Sequence, residues 1–591
     1  MKCERNMMIP MRDGTKLATD IYTPESAGPF PLVLERTPYN KENATMMWSG
    51  THTYLVDKGY AVAIQDARGR FASEGSWYPL RDDGWGKNRD GYDTVAWLGK
   101  HPACNGAIGT FGGSYSGNTQ YLMAPTAPPG LKCMFVRQGS ADLTEEWIYR
   151  GGALELGLNL HWGTQESISA FSNRLKYLTQ TLNEDMEQVY EQLPLLSGAQ
   201  YADPFQWIKE FLSHAPEDQA FWDDWNFAKH YSEVDIPMLH FGAWYDIFIR
   251  ATIANFKGLA ENARSAGARS AQKLFIGPWM HGPLVSERFM RLVGELDFGS
   301  EAIIDFNHLV QRWFDYWLKG IDTGIASEPP ITMFEMGTNT WRQFSQWPPA
   351  DAQPTKYYLR KGSSGSAASL NDGVLDTSAP SADEPADKFI YDPRKPTRTR
   401  GGNTLYTLPS SKKDMPKNLA PADEHMAELG LQAGPRDQRP VENSCLTYTT
   451  AVLAQDMRVT GPVIVQLYIS SSAEDTDFVA KLTDVWPDGR SMLITDGILR
   501  ARYRDSKTHP VPLKPGSVTP LSIDLWATSN VFKKGHRIRV AISSSNFPRY
   551  SRNLNIWKTR APIEGAVVAT NTIYHDKERP SHIVLPIVPE L

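Results

Sequence analysis

The strongest constraint on the fold is a change of rhythm along the chain. From about residue 15 to 140, short β-branched or aliphatic runs alternate with helical stretches: PLVLER (31–36), YAVAIQD (60–66), AIGTFG (107–112) and KCMFVRQ (132–138). Strands separated by helices pair in parallel, so this alternation predicts a parallel sheet with covering helices. Two more such strands, IPMLHFGAWYD (236–246) and QKLFIGPWMH (272–281), come only after an interruption. The interrupting residues 142–234 carry helical periodicity, as in SNRLKYLTQTLNEDMEQVYEQL and PFQWIKEFLSH, and are expected to form a helical cap over one end of the sheet. After the aromatic helix HLVQRWFDYWLKGI (308–321) and a Ser, Gly, Asp and Pro-rich stretch (361–402), the texture becomes one of short alternating strands: VIVQLYISS, FVAKLTDVW and RIRVAISSS. These predict an antiparallel sandwich or jelly roll. The expected division is a core of 1–141 and 235–350, a cap of 142–234 and an all-β domain of 351–591, with the loop-rich 408–440 crossing the surface.

Composition narrows the function. With 591 residues the chain is too long for one core. Its 41% hydrophobic and 22% charged residues suit a folded protein, and 18 Trp stand out. Lys+Arg 61 against Asp+Glu 67 gives a net charge of −6, which lacks the basic excess that nucleic acid or an anionic membrane requires. No apolar run approaches the roughly 18 residues of a bilayer span. The opening MKCERNMMIPMRDG interrupts any signal-peptide core with charge, so a cytoplasmic location is expected. Four cysteines (Cys3, Cys104, Cys133, Cys445) without a CxxC pair read as free thiols.

Chemistry concentrates in AIGTFGGSYSGNTQYLMAP, where a strand ends at Gly112-Gly113-Ser114-Tyr115-Ser116-Gly117 and a helix begins. Small neighbours around a serine in a strand-to-helix turn suit a nucleophile elbow, although the usual G-x-S-x-G is displaced by one residue because Ser116 holds the last position. The bland alternative is a Gly-rich turn capping a helix. A serine nucleophile needs a base and the base an acid, in the chain order Ser, acid, His at strand carboxyl ends. Asp246 and His281 satisfy order and placement, whereas His240 falls inside a strand, His161, His214 and His230 in the insertion, and His509, His536, His575 and His582 in the all-β part. The backbone N–H of Tyr115 supplies one oxyanion donor. The loop Glu35-Arg36-Thr37-Pro38-Tyr39-Asn40 offers no HGGG run for a second, and local sequence leaves Tyr39 open between a donor hydroxyl and a packed loop aromatic.

Together, GTFGGSYSGNTQ, RTPYNK, QDARGRFASEG, GAWYD and IGPWMH resemble the serine-hydrolase family of cocaine esterase, X-prolyl dipeptidyl aminopeptidases, α-amino acid ester hydrolases and glutaryl-cephalosporin acylases (CocE/NonD type). The likeness continues through YDPRKP, GPRDQRPVEN, SSSAEDTDFVAKLTDVWPDGR, LWATSNVFKKGHRIRVAISSSNFPRY and SHIVLPI, so it covers nearly the whole chain. It implies an α/β-hydrolase core, an inserted helical cap and a C-terminal jelly roll. It also implies Ser114 as nucleophile, Asp246 as acid, His281 as base, Tyr39 as the hydroxyl that completes the oxyanion hole, and Trp147, Phe248, Leu405 and Tyr406 as lining of the acyl pocket. No cofactor or metal is required, and a homodimer or homotetramer is implied.

Relatives that accept a free α-amino group place carboxylates near the acyl site, because a buried ammonium needs a counter-charge. Here Asp246 is followed by Ile247, Phe248 and Ile249, and the acidic pair Glu145 and Glu146 at the cap entrance reads as a solvated first helical turn. An apolar, aromatic pocket then predicts a carboxylesterase for uncharged acyl groups, with an amidase or peptidase as the same-class alternative and a carbohydrate-binding, non-catalytic protein as the distant one. There is no HExxH or GxxxxGK[ST], and the acidic run Asp82, Asp83, Asp90, Asp93 lacks EF-hand spacing and reads as a solvated loop.

Overall fold

The computed structural model describes residues 1–43, 50–140, 142–169, 188–195, 206–282, 284, 286–405, 433–558 and 561–589. Its first half is built on a ten-stranded sheet: β1 (Lys2–Pro10), β2 (Lys16–Thr23), β3 (Phe30–Thr37), β4 (Ala61–Asp66), β5 (Cys104–Gly113), β6 (Leu131–Arg137), β7 (Met238–Tyr245), β8 (Lys273–Met280), β9 (Ile331–Glu335) and β10 (Thr340–Phe344). The spatial order is β1-β2-β4-β3-β5-β6-β7-β8-β9-β10. Every pair from β4 through β3 to β9 is parallel, and the outer pairs are antiparallel. Strands sandwiched on both faces read as unbroken apolar runs rather than alternating ones, and every residue of β4 and β7 is buried.

The helix Phe306–Lys319 shows why these residues cover that sheet. Asp305 caps it by accepting from His308 N, and Gly320 at φ 69° ends it in the left-handed conformation. Between these signals Phe306, Val310, Trp313, Phe314 and Leu318 recur at helical spacing and are all buried. The helix lies so close that a Cβ on Gly109 of β5 would meet Phe314 at 2.7 Å. Truncating Phe314 to alanine would cost about 3–5 kcal/mol as a cavity.

Between β6 and β7 the described residues form a π-helical turn (Thr144–Ile148), a short hairpin (Tyr149–Arg150 with Ala153–Leu154) and helices Leu156–Ser169 and Gln206–Ser213. The predicted helix 172–193 lies mostly outside the described residues. The hairpin adds a short piece of extended backbone to an insertion whose periodicity is helical. From Gln353 onward an eleven-stranded sheet, antiparallel in all pairs but one, surrounds its own apolar cluster. Most of the predicted surface loop 408–440 also lies outside the described residues.

One expectation about charge is corrected. Asp83 and Asp90 are buried, not solvated: Arg36 pairs with both, and Arg68 bridges Asp90 and Asp13. Burial raises Asp90 to about 6, opposed chiefly by its bond to Arg68. The motif QDARGRFASEG, which contributes Arg68, thus fixes a loop from the inside. All four cysteines are free, and Cys104, Cys133 and Cys445 are buried. Among the described residues no helix is long and apolar enough to cross a membrane, and no group of three or more His, Cys, Asp or Glu is placed to hold a metal ion.

Candidate active site

Ser114 sits between β5 and the helix Tyr115–Met123 with φ 59° and ψ −122°, a conformation that costs a non-glycine residue strain of order 1–3 kcal/mol. The glycines explain how it is held. Gly112, at φ 143°, packs so tightly on Ser116 that a Cβ there would lie 2.6 Å from the Ser116 Cβ, and a Cβ on Gly117 would lie 2.8 Å from the Arg137 carbonyl. The displaced motif is therefore coherent: glycine at 112 makes room for the serine at 116, and the second required glycine is the one facing β6. Ser114 N donates to the Arg137 carbonyl at 3.0 Å, tying the turn to β6.

Asp246 and His281 are each the first residue past the carboxyl end of a strand, β7 and β8. The structure brings all three predicted residues into one chain. His281 Nε2 lies 2.9 Å from Ser114 Oγ, and His281 Nδ1 lies 2.6 Å from Asp246 Oδ1. Asp246 is wholly buried and His281 nearly so, while Ser114 is half-buried. Arg137 lies buried beside this acid; burial pushes its guanidinium down to about 9, and the Asp246 charge opposes that shift.

Tyr39 stands edge-on to Tyr115, ring centroids 6.4 Å apart, and its hydroxyl accepts a bond from the indole of Trp162 in the helix Leu156–Ser169. Arg70 braces the same loop by donating Nε to the Pro38 carbonyl at 2.9 Å. The side chain of Tyr115 is structural: buried, with its hydroxyl accepting from Trp77 Nε1 and Leu80 N, and with its ionisation suppressed by burial. Its backbone N–H, at the first position of the helix, is one of those an α-helix leaves without an intrahelical partner.

Phe248 lies edge-on to His281 at 5.4 Å, Trp147 packs on Phe248 at 5.6 Å, and Trp162 on Trp147 at 4.9 Å. Leu405 packs against the same aromatic cluster. Tyr406 lies outside the described residues.

The cap carboxylates are not a solvated turn. Glu146 is 5% exposed and bridges Arg150 at 2.7 Å and Arg250 at 2.5 Å, while Glu145 pairs with Lys507 at 2.8 Å. Sequence reasoning also missed Gln138, at φ 47° just beyond β6. Its amide clasps the turn that carries the histidine, donating Nε2 to the Met280 carbonyl at 2.9 Å and accepting from Gly282 N at 3.1 Å. A lone polar residue after a strand carries no motif; only its burial beside the site reveals it.

Comparison with known proteins follows the same lines. Residues 13–283 match the family described as X-Pro dipeptidyl-peptidase (S15 family), and residues 323–584 match the X-Pro dipeptidyl-peptidase C-terminal non-catalytic domain. The chain is 36% identical to cocaine esterase of Rhodococcus sp. (strain MB1 Bresler), covering 99% of this chain and 98% of that protein. Among solved structures it is similar to an aminopeptidase from a marine sediment Thaumarchaeota archaeon (26% identity, TM-score 0.81, 100% and 96% of the two chains covered). It is also similar to an α-amino acid ester hydrolase (26% identity, TM-score 0.81, 99% and 96% covered).

Proposed function

Since the chain belongs to the S15 family of serine hydrolases, whose members here cleave esters or peptides, we propose that it is a carboxylesterase for uncharged, aromatic or hydrophobic acyl groups, working through an acyl-enzyme. In this reading the catalytic core comprises residues 1–141 and 235–350, the cap 142–234 and the β-rich domain 351–591.

Ser114 Oγ attacks the ester carbonyl as His281 Nε2 takes its proton, over the 2.9 Å that separates them. Asp246 accepts from His281 Nδ1–H, fixing the tautomer and stabilising the imidazolium that forms. The tetrahedral oxyanion receives the backbone N–H of Tyr115 and the hydroxyl of Tyr39. His281 then protonates the leaving alcohol, the acyl group stays on Ser114, and the same imidazole activates water to release it.

The observation that carries the substrate reading is the neutralisation of Glu145 and Glu146. Glu146 is paired with Arg150 and Arg250 and Glu145 with the exposed Lys507, which opposes a free charge being offered to an α-ammonium group, and the wall made by Trp147, Phe248 and Leu405 favours an apolar acyl group. The test is turnover of p-nitrophenyl esters, a benzoyl ester, an aminoacyl ester, Ala-Pro-p-nitroanilide and a cephalosporin side-chain amide, beside Ser114→Ala. Neutral esters should be preferred and Ser114→Ala inactive. Preference for the aminoacyl or Ala-Pro substrate would replace this reading with the peptidase one.

A further inference from the structure

The serine is held by its elbow and the histidine by Gln138, both inside the core. The acid is held from elsewhere. The backbone from Trp244 to Ile247 is fastened by groups that lie far away in sequence. Asn403 Nδ2 donates to the carbonyls of Trp244 at 2.8 Å and Asp246 at 2.9 Å. Arg150 Nη2 donates to the Ile247 carbonyl at 2.5 Å, and the Tyr245 hydroxyl donates to the Leu493 carbonyl at 3.2 Å. Both acceptors of Asn403 are carbonyl oxygens, so only the amide nitrogen can face them, and the orientation of the side chain follows.

Asn403 is 2% exposed and stands on a strap pinned by backbone hydrogen bonds. Gly401 and Gly402 adopt φ 71° and 88°, and Gly402 exchanges both backbone hydrogen bonds with Gly434. A Cβ on Gly401 would meet the Gly434 carbonyl at 2.5 Å. The same strap carries Leu405 to the aromatic wall two residues later. Asp246 must keep its carboxylate within hydrogen-bond reach of His281 Nδ1, and its own peptide carbonyl is one of the two that Asn403 grips.

We infer that Asn403 is a positioning residue for the catalytic acid, so that the C-terminal part of the chain, which matches a domain described as non-catalytic, sets the geometry of the triad. This rests on the role given to Asp246 under Proposed function. A shift of about 1 Å in a catalytic group costs on the order of a hundredfold in rate, so loss of this grip reaches kcat directly.

The test is Asn403→Asp, which keeps the shape but turns an acceptor toward two carbonyls, with Asn403→Ala as the variant that removes the donor without repulsion. With a neutral p-nitrophenyl ester, kcat should fall roughly ten- to hundredfold for Asn403→Asp and less for Asn403→Ala, with KM little changed. The acid limb of the kcat/KM profile should move to lower pH, because a misplaced Asp246 stabilises the imidazolium less. In an Asp246→Asn background, the further change to Asn403→Asp should cost almost nothing. Wild-type kcat and pH profile in both variants, or an equal penalty in the Asp246→Asn background, would overturn the inference while leaving the triad intact. Full activity of Asp246→Asn alone would instead remove the reading of the acid on which it stands.

Discussion

Trp162 donates its indole N–H to the hydroxyl of Tyr39 at 3.2 Å, joining the cap to the loop that faces the nucleophile. An indole is only ever a donor, so in this bond the tyrosine oxygen is the acceptor. Tyr39→Phe should lower kcat by about a hundred- to thousandfold, the usual loss of an oxyanion donor. Trp162→Phe keeps the aromatic wall and removes one neutral hydrogen bond, so it should cost about three- to tenfold. In the Tyr39→Phe background that smaller effect should vanish, which steady-state kinetics of the double variant checks.

Gln138 grips both peptide neighbours of His281. Gln138→Glu keeps the acceptor for Gly282 N but sets a carboxylate oxygen against the Met280 carbonyl. Its kcat should drop by about tenfold or more, with the aromatic pocket, and hence KM, unaltered. A KM-only effect would show that Gln138 does not act through the histidine.

Removing Glu146 takes the shared carboxylate from Arg150 and Arg250, which keep Glu155 and Asp524 as their remaining partners. Glu146→Ala should lower stability by about 1.5–3 kcal/mol, the usual loss of charge-assisted hydrogen bonds when the arginines keep other partners, read as a fall in the urea midpoint. It should leave the relative rates on aminoacyl and neutral esters unchanged. A selective loss of aminoacyl ester turnover would mean that Glu146 does meet an ammonium group.

His240, on β7, accepts from the Tyr121 hydroxyl at Nδ1 and donates from Nε2 to Gln272 Oε1, whose amide nitrogen is already committed to the Ile236 and Ala268 carbonyls. Burial pushes its pKa down to about 4 from 6.5. The unfolded chain therefore takes up a proton at higher pH than the folded one, and the stability this residue contributes is present above 6.5 and lost as pH falls toward about 4. The stability difference between wild type and His240→Gln should be widest near neutrality and narrow across that window. Denaturant midpoints collected as a function of pH give the curve.

Much of this site is legible in the sequence because α/β chemistry sits where strands end. Apolar runs locate β5, β7 and β8, and the next residue in each case is Ser114, Asp246 or His281. Tyr39 is different: a tyrosine after proline has two uses, and only family resemblance chose between them. What stays hidden is polar and long-range. Gln138 and Asn403 act on backbone carbonyls more than a hundred residues away and leave no spacing to read. The acidic residues mislead in the opposite sense. Asp83, Asp90 and Glu146 look like solvated charge, since a sequence does not show the arginines that let a carboxylate be buried.

The most direct measurement of the central claim is acid-quenched mass spectrometry of the protein mixed with a p-nitrophenyl benzoate ester, followed by peptide mapping. The account predicts a benzoyl group on the peptide containing Ser114, formed with a burst of p-nitrophenol and absent in Ser114→Ala. Turnover that persists in Ser114→Ala, or an acyl group found on a different residue, would contradict it.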